Sequence, residues 1–196
     1  MFKYQIKKFI KENHPNICNI INANIPSQNR IEMPKFKIAM TLKQSKILYY
    51  DIRKNNFYTL DDSIKAPSAL AWYYPIRIDY NIEEIKKIKC SKIDIINIMC
   101  HEIFHVINIK NLPPISESLY RQTKPHAIQF FRQFYYSDSK INQFIKYFYE
   151  PQEFWAFAFA DACTNGPIQS IGKQFLPKIF NVKFNEINKN IENIVN

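Results

Sequence analysis

The chain has 196 residues, of which 46% are hydrophobic and 15% aromatic, enough for one domain with a sizeable core. No run approaches the roughly 18 apolar residues of a membrane span, and "MFKYQIKKFIKENHP" interrupts its apolar positions with lysines, unlike the continuous segment of a secretory signal. The formal charge of +10 reflects 22 Lys against 5 Arg, alongside 33 Ile, 20 Asn and only 2 Gly. That bias marks an AT-rich genome, cellular or viral, rather than a basic groove. The lysines are scattered, so specific nucleic-acid binding is not expected.

In chain order, residues 3 to about 23 read as an amphipathic helix, with Phe2, Ile6, Phe9 and Ile10 at helical spacing and Pro26 beyond. "KFKIAMTL" (35–42) and "KILYYDI" (46–52) read as strands joined by a "KQS" turn, followed by a loop, "NNFYTLDDSIKAPS". "ALAWYYPIRIDY" (69–80) reads as a third strand. Pro75 cannot donate to a ladder, which predicts a sheet edge or a bend there. After residue 92 the pattern is helical: 93–110, stopped by "NLPP", then 125–136, 139–148, 151–163 and 183–195, with a helix stop at "CTNGP" (163–167). Strands first and helices after predict an α+β fold, with a small N-terminal antiparallel or mixed sheet and a mostly helical C-terminal half. We expect one domain over 1–196, divided into an N-terminal helix (1–26), a sheet region (35–80), a central helix (93–110), helices over 139–163 and a helical tail (167–196).

The chemistry is concentrated in "IINIMCHEIFHVIN" (95–108). Residues at i and i+4 of a helix share one face, so His101 and His105 can present two imidazole nitrogens to one Zn²⁺. Glu102 lies about 100° further round the helix, where it can take a proton from a metal-activated water without ligating the ion. That is the logic of H-E-x-x-H. The four cysteines (Cys18, Cys90, Cys100, Cys163) show no C-x-x-C pair and read as reduced thiols.

A hydrolytic site needs a third protein ligand and an open position. A metzincin would have Gly and His three and six residues after His105, where this chain has Asn108 and Asn111. Peptide deformylase needs a glycine-rich strand that two glycines cannot supply. A glutamate third ligand remains. Glu153 heads "EFWAFAFADA", where Ala156 and Ala158 would let its helix approach the metal helix closely. Glu117, Glu150, Glu186 and His126 are the alternatives.

"HEIFH" followed by "EFWAFAF" resembles the zincin metallopeptidases with a glutamate ligand. The likeness is to the group of anthrax lethal factor and the proline-specific endopeptidases, and to small phage and bacterial H-E-x-x-H proteins. It covers about 30 residues. The resemblance implies His101, His105 and Glu153 as zinc ligands, Glu102 as general base and Tyr147 as the hydroxyl that stabilises the oxyanion. Tyr147 stands six residues before Glu153 where that group has seven, so Tyr149 and His126 remain alternatives. Where the group has an acid four residues after the third ligand, this chain has Phe157. Asp161, Asp94 and Asn97 are then the candidates to support a metal-bound histidine.

The expected function is a monomeric zinc metalloendopeptidase acting on a peptide or protein, with no membrane and no nucleic-acid partner, in the cytoplasm or, if viral, in the host cytoplasm or virion. Ile76, Arg77, Ile78 and Asp79 are expected to form an edge strand that pairs with an extended substrate. Two alternatives are a zincin-shaped binding or inhibitor protein, whose structural metal would take a fourth ligand such as Cys100 or His126, and a basic nucleic-acid-associated protein.

Overall fold

Helix α1 (Lys3–Ala23) buries Ile6, Phe9, Ile10, His14, Ile17, Cys18 and Ile21. This is the stripe at intervals of three and four that a helix needs to dock by one face. The Phe2 amide donates to Gln5 Oε1 at 2.8 Å at its start. The helix packs on the rest of the domain rather than standing off it. The coordinates are a computed structural model describing residues 1–39, 48–51, 56–59, 68–73, 76–110, 121–122, 125 and 151–196. The "KQS" turn, the bend at Pro75, the helix expected over 125–136 apart from Pro125, the helix expected over 139–148, and Glu117, His126, Tyr147, Tyr149 and Glu150 lie outside these residues.

Among the described residues five strands follow: β1 (Lys35–Ala39), β2 (Leu48–Asp51), β3 (Asn56–Thr59), β4 (Ala69–Tyr73) and β5 (Ile76–Asn81). They form a three-stranded sheet in the order β1-β5-β4 and a separate ribbon, β2-β3. β1 runs parallel to β5, with Lys35 opposite Arg77 and Ala39 opposite Asn81. β4 runs antiparallel to β5, with Ala69 opposite Tyr80 and Tyr73 opposite Ile76. The sheet is therefore mixed, and the fold is α+β.

Two expectations are corrected. Residues 69–80 make a hairpin of two strands, because the chain reverses between Tyr73 and Ile76. Residues 56–59, expected as loop, form β3 and pair with β2, Asp51 opposite Asn56. Among the described residues β1 pairs with β5, far along the chain, and not with β2. Propensity located strand-forming stretches, but pairing is a tertiary outcome that propensity does not encode.

Asn81 ends β5 and caps α2 (Ile82–Lys87), its side chain accepting from the Glu84 amide at 3.2 Å. Then come α3 (Lys92–Lys110), α4 (Pro151–Thr164), α5 (Gln169–Phe180) and α6 (Phe184–Val195). α3 and α4 form the centre. α3 buries Ile95, Ile96, Met99, Cys100, Ile103, Phe104, Val106 and Ile107, and α4 buries Phe154, Trp155, Ala156, Ala158, Phe159, Ala160, Ala162 and Cys163. A helix apolar on nearly every side belongs inside the fold. α3 packs on α4 and against β4, while α5 and α6 cover the outer side of α4. Phe104 and Phe159 meet at 4.9 Å between ring centres, locking the α3–α4 pair. α4 ends where "CTNGP" predicts: Asn165 takes a left-handed φ of 57° and the Gly166 amide closes on the Asp161 carbonyl at 2.9 Å. Among the described residues no helix is long and apolar enough to cross a membrane.

Candidate metal centre

The burial of α3 carries its two histidines inward. His101 and His105 are 9% and 7% exposed, and one helical turn stacks their rings with centres 4.8 Å apart and Nε2 atoms 3.1 Å apart. Glu153 stands in the first turn of α4. The alanines behind it are fully buried, and the α3–α4 contact brings its carboxylate across: Oε2 lies 3.2 Å from His101 Nε2 and Oε1 3.4 Å from His105 Nε2. All three donor atoms fall within 4.8 Å of one another, the one such group among the described residues. Two imidazoles and a carboxylate converging on one point is a donor set that fits a divalent transition metal such as Zn²⁺. The Glu153 side chain remains 31% exposed against 11% and 8% for the histidines, so the cluster opens to solvent on the α4 side.

Charge follows this geometry. Burial by itself would raise the Glu153 carboxyl, but the imidazoles of His105 and His101 outweigh it and hold the group well below the usual carboxylate range. Burial disfavours a charged His105, yet the carboxylates of Glu153 and Glu102 prevail and lift its pKa above the ordinary value. Glu102 is 7% exposed, and burial pushes its carboxyl up despite the opposing histidines and a hydrogen bond from the Ala71 backbone. Glu102 thus sits between the His101–His105–Glu153 group and strand β4, with a proton affinity above that of a surface glutamate.

The strand beside Glu102 differs from the one expected. Ile76, Arg77, Ile78 and Asp79 lie in β5, the middle strand, whose residues from Arg77 onward are paired on both sides. Arg77 and Asp79 also satisfy each other in an ion pair at 2.8 Å, with Asp79 buried. Among the described residues, that segment is flanked by strands on both sides from Arg77 onward. Among the same residues β1 and β4 are the two terminal strands of this sheet, and Ala71, whose backbone meets Glu102, belongs to β4.

The supporting residues divide. Asp94 does not approach the trio: it accepts from the Ser91 amide and hydroxyl at 2.8 and 2.7 Å, and its own amide donates back to Ser91 Oγ at 3.3 Å. This is a capping box that starts α3. Asn97 and Asp161 are brought together, Asn97 Nδ2 donating to Asp161 Oδ1 at 2.9 Å. Burial pushes the Asp161 carboxyl up to about 6, against the Ile168 amide, Asn97 and His101. Phe157 packs edge-on against His101 at 4.5 Å between ring centres. His101 Nδ1 is buried and has no hydrogen-bond partner among the described residues. Cys100 faces the Cys163 thiol rather than the trio, and all four cysteines are buried and free. Glu186, an alternative third ligand, lies in the first turn of α6 and outside the donor group.

Two features went unread in the sequence. One is the contact of the Ala71 backbone with Glu102. The other is His14, fully buried, its Nδ1 2.8 Å from the Tyr80 hydroxyl and its ring 4.5 Å from that of Phe36. Its place on the apolar stripe of α1, four after Ile10 and three before Ile17, was the available signal. No protein-family model, curated protein or solved structure matches this chain, and its functional reading therefore rests on the geometry of these residues.

Proposed function

We propose that the chain is a zinc-dependent metallopeptidase that hydrolyses peptide bonds, with His101, His105 and Glu153 as metal ligands and Glu102 as general base. The observation that carries this reading is the convergence of those three donor atoms within 4.8 Å from two helices, with a buried carboxylate one residue along from the first of them. The resemblance of "HEIFH" and "EFWAFAF" to glutamate-ligand zincins agrees with it. Bound to the trio, Zn²⁺ would supply Lewis acidity toward a carbonyl and acidify a water molecule. Among the described residues three would hold the ion, the ligand number of catalytic rather than structural zinc.

The protein's own part is proton transfer and alignment. Glu102, its carboxyl raised by burial, takes the proton of the attacking water and returns it to the departing amine. β4 offers backbone groups along its outer edge to an extended peptide, and the contact of Ala71 with Glu102 keeps the base beside that strand. The oxyanion donors expected from the sequence, Tyr147, Tyr149 and His126, lie outside the described residues.

The test is Glu102→Gln, which preserves shape and removes the base. We expect zinc to bind as in the parent while cleavage of a quenched fluorescent peptide library falls by about 10²-fold or more. Equal cleavage by parent and variant would refute the mechanism.

A further inference from the structure

A polar cluster lies one turn of α3 away from the ligands. Asn97 precedes His101 by four residues and projects from the same face of α3, as Asp161 does relative to Glu153 and Phe157 on α4. The order along the seam is His105, His101 and Asn97 on α3 against Glu153, Phe157 and Asp161 on α4. Asn97 Nδ2 donates to Asp161 Oδ1 at 2.9 Å and to Thr164 Oγ1 at 2.8 Å. The other Asp161 oxygen accepts from the Ile168 amide at 2.9 Å, and the Thr164 hydroxyl donates to the Ala160 carbonyl at 2.9 Å. A Cβ on Gly166 would come within 2.3 Å of Asp161 Oδ1, so only glycine lets the turn after α4 close over that carboxylate.

Contacts differ in what they fix. The Phe157 ring against His101 is a dispersion contact that tolerates sliding, and His101 Nδ1 has no hydrogen-bond partner among the described residues to orient it. The Asn97 bonds, being directional, constrain both distance and angle between the helices. We infer that Asn97 and Asp161 form a strut setting the spacing of α3 and α4, and that through it they position the Glu153 carboxylate against the two imidazoles. They are positioning residues and touch neither metal nor substrate. The inference rests on the metal reading given above.

The experiment measures zinc alone binding to the full chain, by competition with a chromophoric chelator, together with thermal unfolding with and without zinc. The parent is measured first; if it does not bind zinc, the metal reading and the strut fall together. In Asp161→Asn an amide faces the Asn97 or Ile168 donor, and we expect zinc Kd to weaken by about tenfold or more, the scale of groups that orient metal ligands. In the swap N97D/D161N the carboxylate at 97 accepts from the amide at 161 and from the Thr164 hydroxyl, which turns away from the Ala160 carbonyl to donate to it, while the amide oxygen at 161 accepts from Ile168. Kd should return to within about threefold of the parent, as expected of a restored pair. If D161N does not fold, Asn97→Ser, which keeps the Asp161–Ile168 bond, is held to the same expected loss. Should the single variant lower Tm equally with and without zinc and leave Kd unchanged, or should the swap fail to restore Kd, the strut is structural only and the inference is overturned.

Discussion

Gly172→Ala sets two opposing effects of known scale against each other. Gly172 lies inside α5, where alanine is favoured over glycine by about 1 kcal/mol of helix propensity. The packing points the other way. A Cβ there would lie 2.1 Å from the Ala158 carbonyl oxygen, 2.7 Å from Ala162 Cβ and 2.9 Å from the Ala158 carbonyl carbon. To restore even a 3.0 Å contact, α5 and α4 must part by about 0.9 Å. Overpacking typically costs about 1–3 kcal/mol when side chains can give way, and here the obstacle is helix backbone, so the cost lies at the upper end or beyond. Subtracting the propensity gain leaves a net loss of about 2 kcal/mol, which for a chain of this size lowers Tm by about 4–8 °C. Circular dichroism melts at pH 7.5 measure this directly. Because Ala158 follows Glu153 on the same helix, zinc affinity should fall as well. A variant that melts at or above the parent temperature would show that propensity prevails and that the helices do not meet as closely as described.

Glu153→Gln should weaken zinc binding by about 10²-fold or more, since a ligand contributes more than the 10–100-fold attributed to groups that support one; chelator competition reads it, and parent-like affinity would remove Glu153 from the site. His14 gives a pH signature. Burial lowers its pKa from 6.5 to about 4, with the Pro34 backbone offsetting part of the effect. The unfolded chain therefore takes up a proton below pH 6.5 that the folded chain refuses until about 4, and stability present above 6.5 is lost progressively as pH falls through that window, by about 3 kcal/mol in all. In urea titrations between pH 7 and 4, His14→Gln should lack this slope; a variant as acid-sensitive as the parent would exclude His14 as its source.

Much of the site was readable because it is local. The i, i+4 spacing of His101 and His105 within an apolar run settles a shared helix face whatever surrounds it, and α3 spans 92–110 where 93–110 was expected. Glu153 was reached through the small residues behind it, and α1, α4 and α6 start and stop within a residue or two of their apolar stripes and breakers. Asp94 was misread because an acid three residues after a serine caps a helix as readily as it supports a histidine, and only the Ser91 bonds distinguish the two. His14, Asn97 and Asp161 acquire meaning only from partners tens of residues away.

The amino-acid order by itself determined α1, α3, α4 and α6, though not α2. It also determined which of their side chains share a face, since helix formation and side-chain direction depend on neighbours three and four residues off. Which strand lies at the sheet edge, that the hairpin leaves β5 between β1 and β4, and that an amide of β4 meets Glu102 were decided by the tertiary structure. Strand pairing and helix crossing join residues far apart in the chain, and alternation of apolar residues is the same for a strand at the edge as for one in the middle.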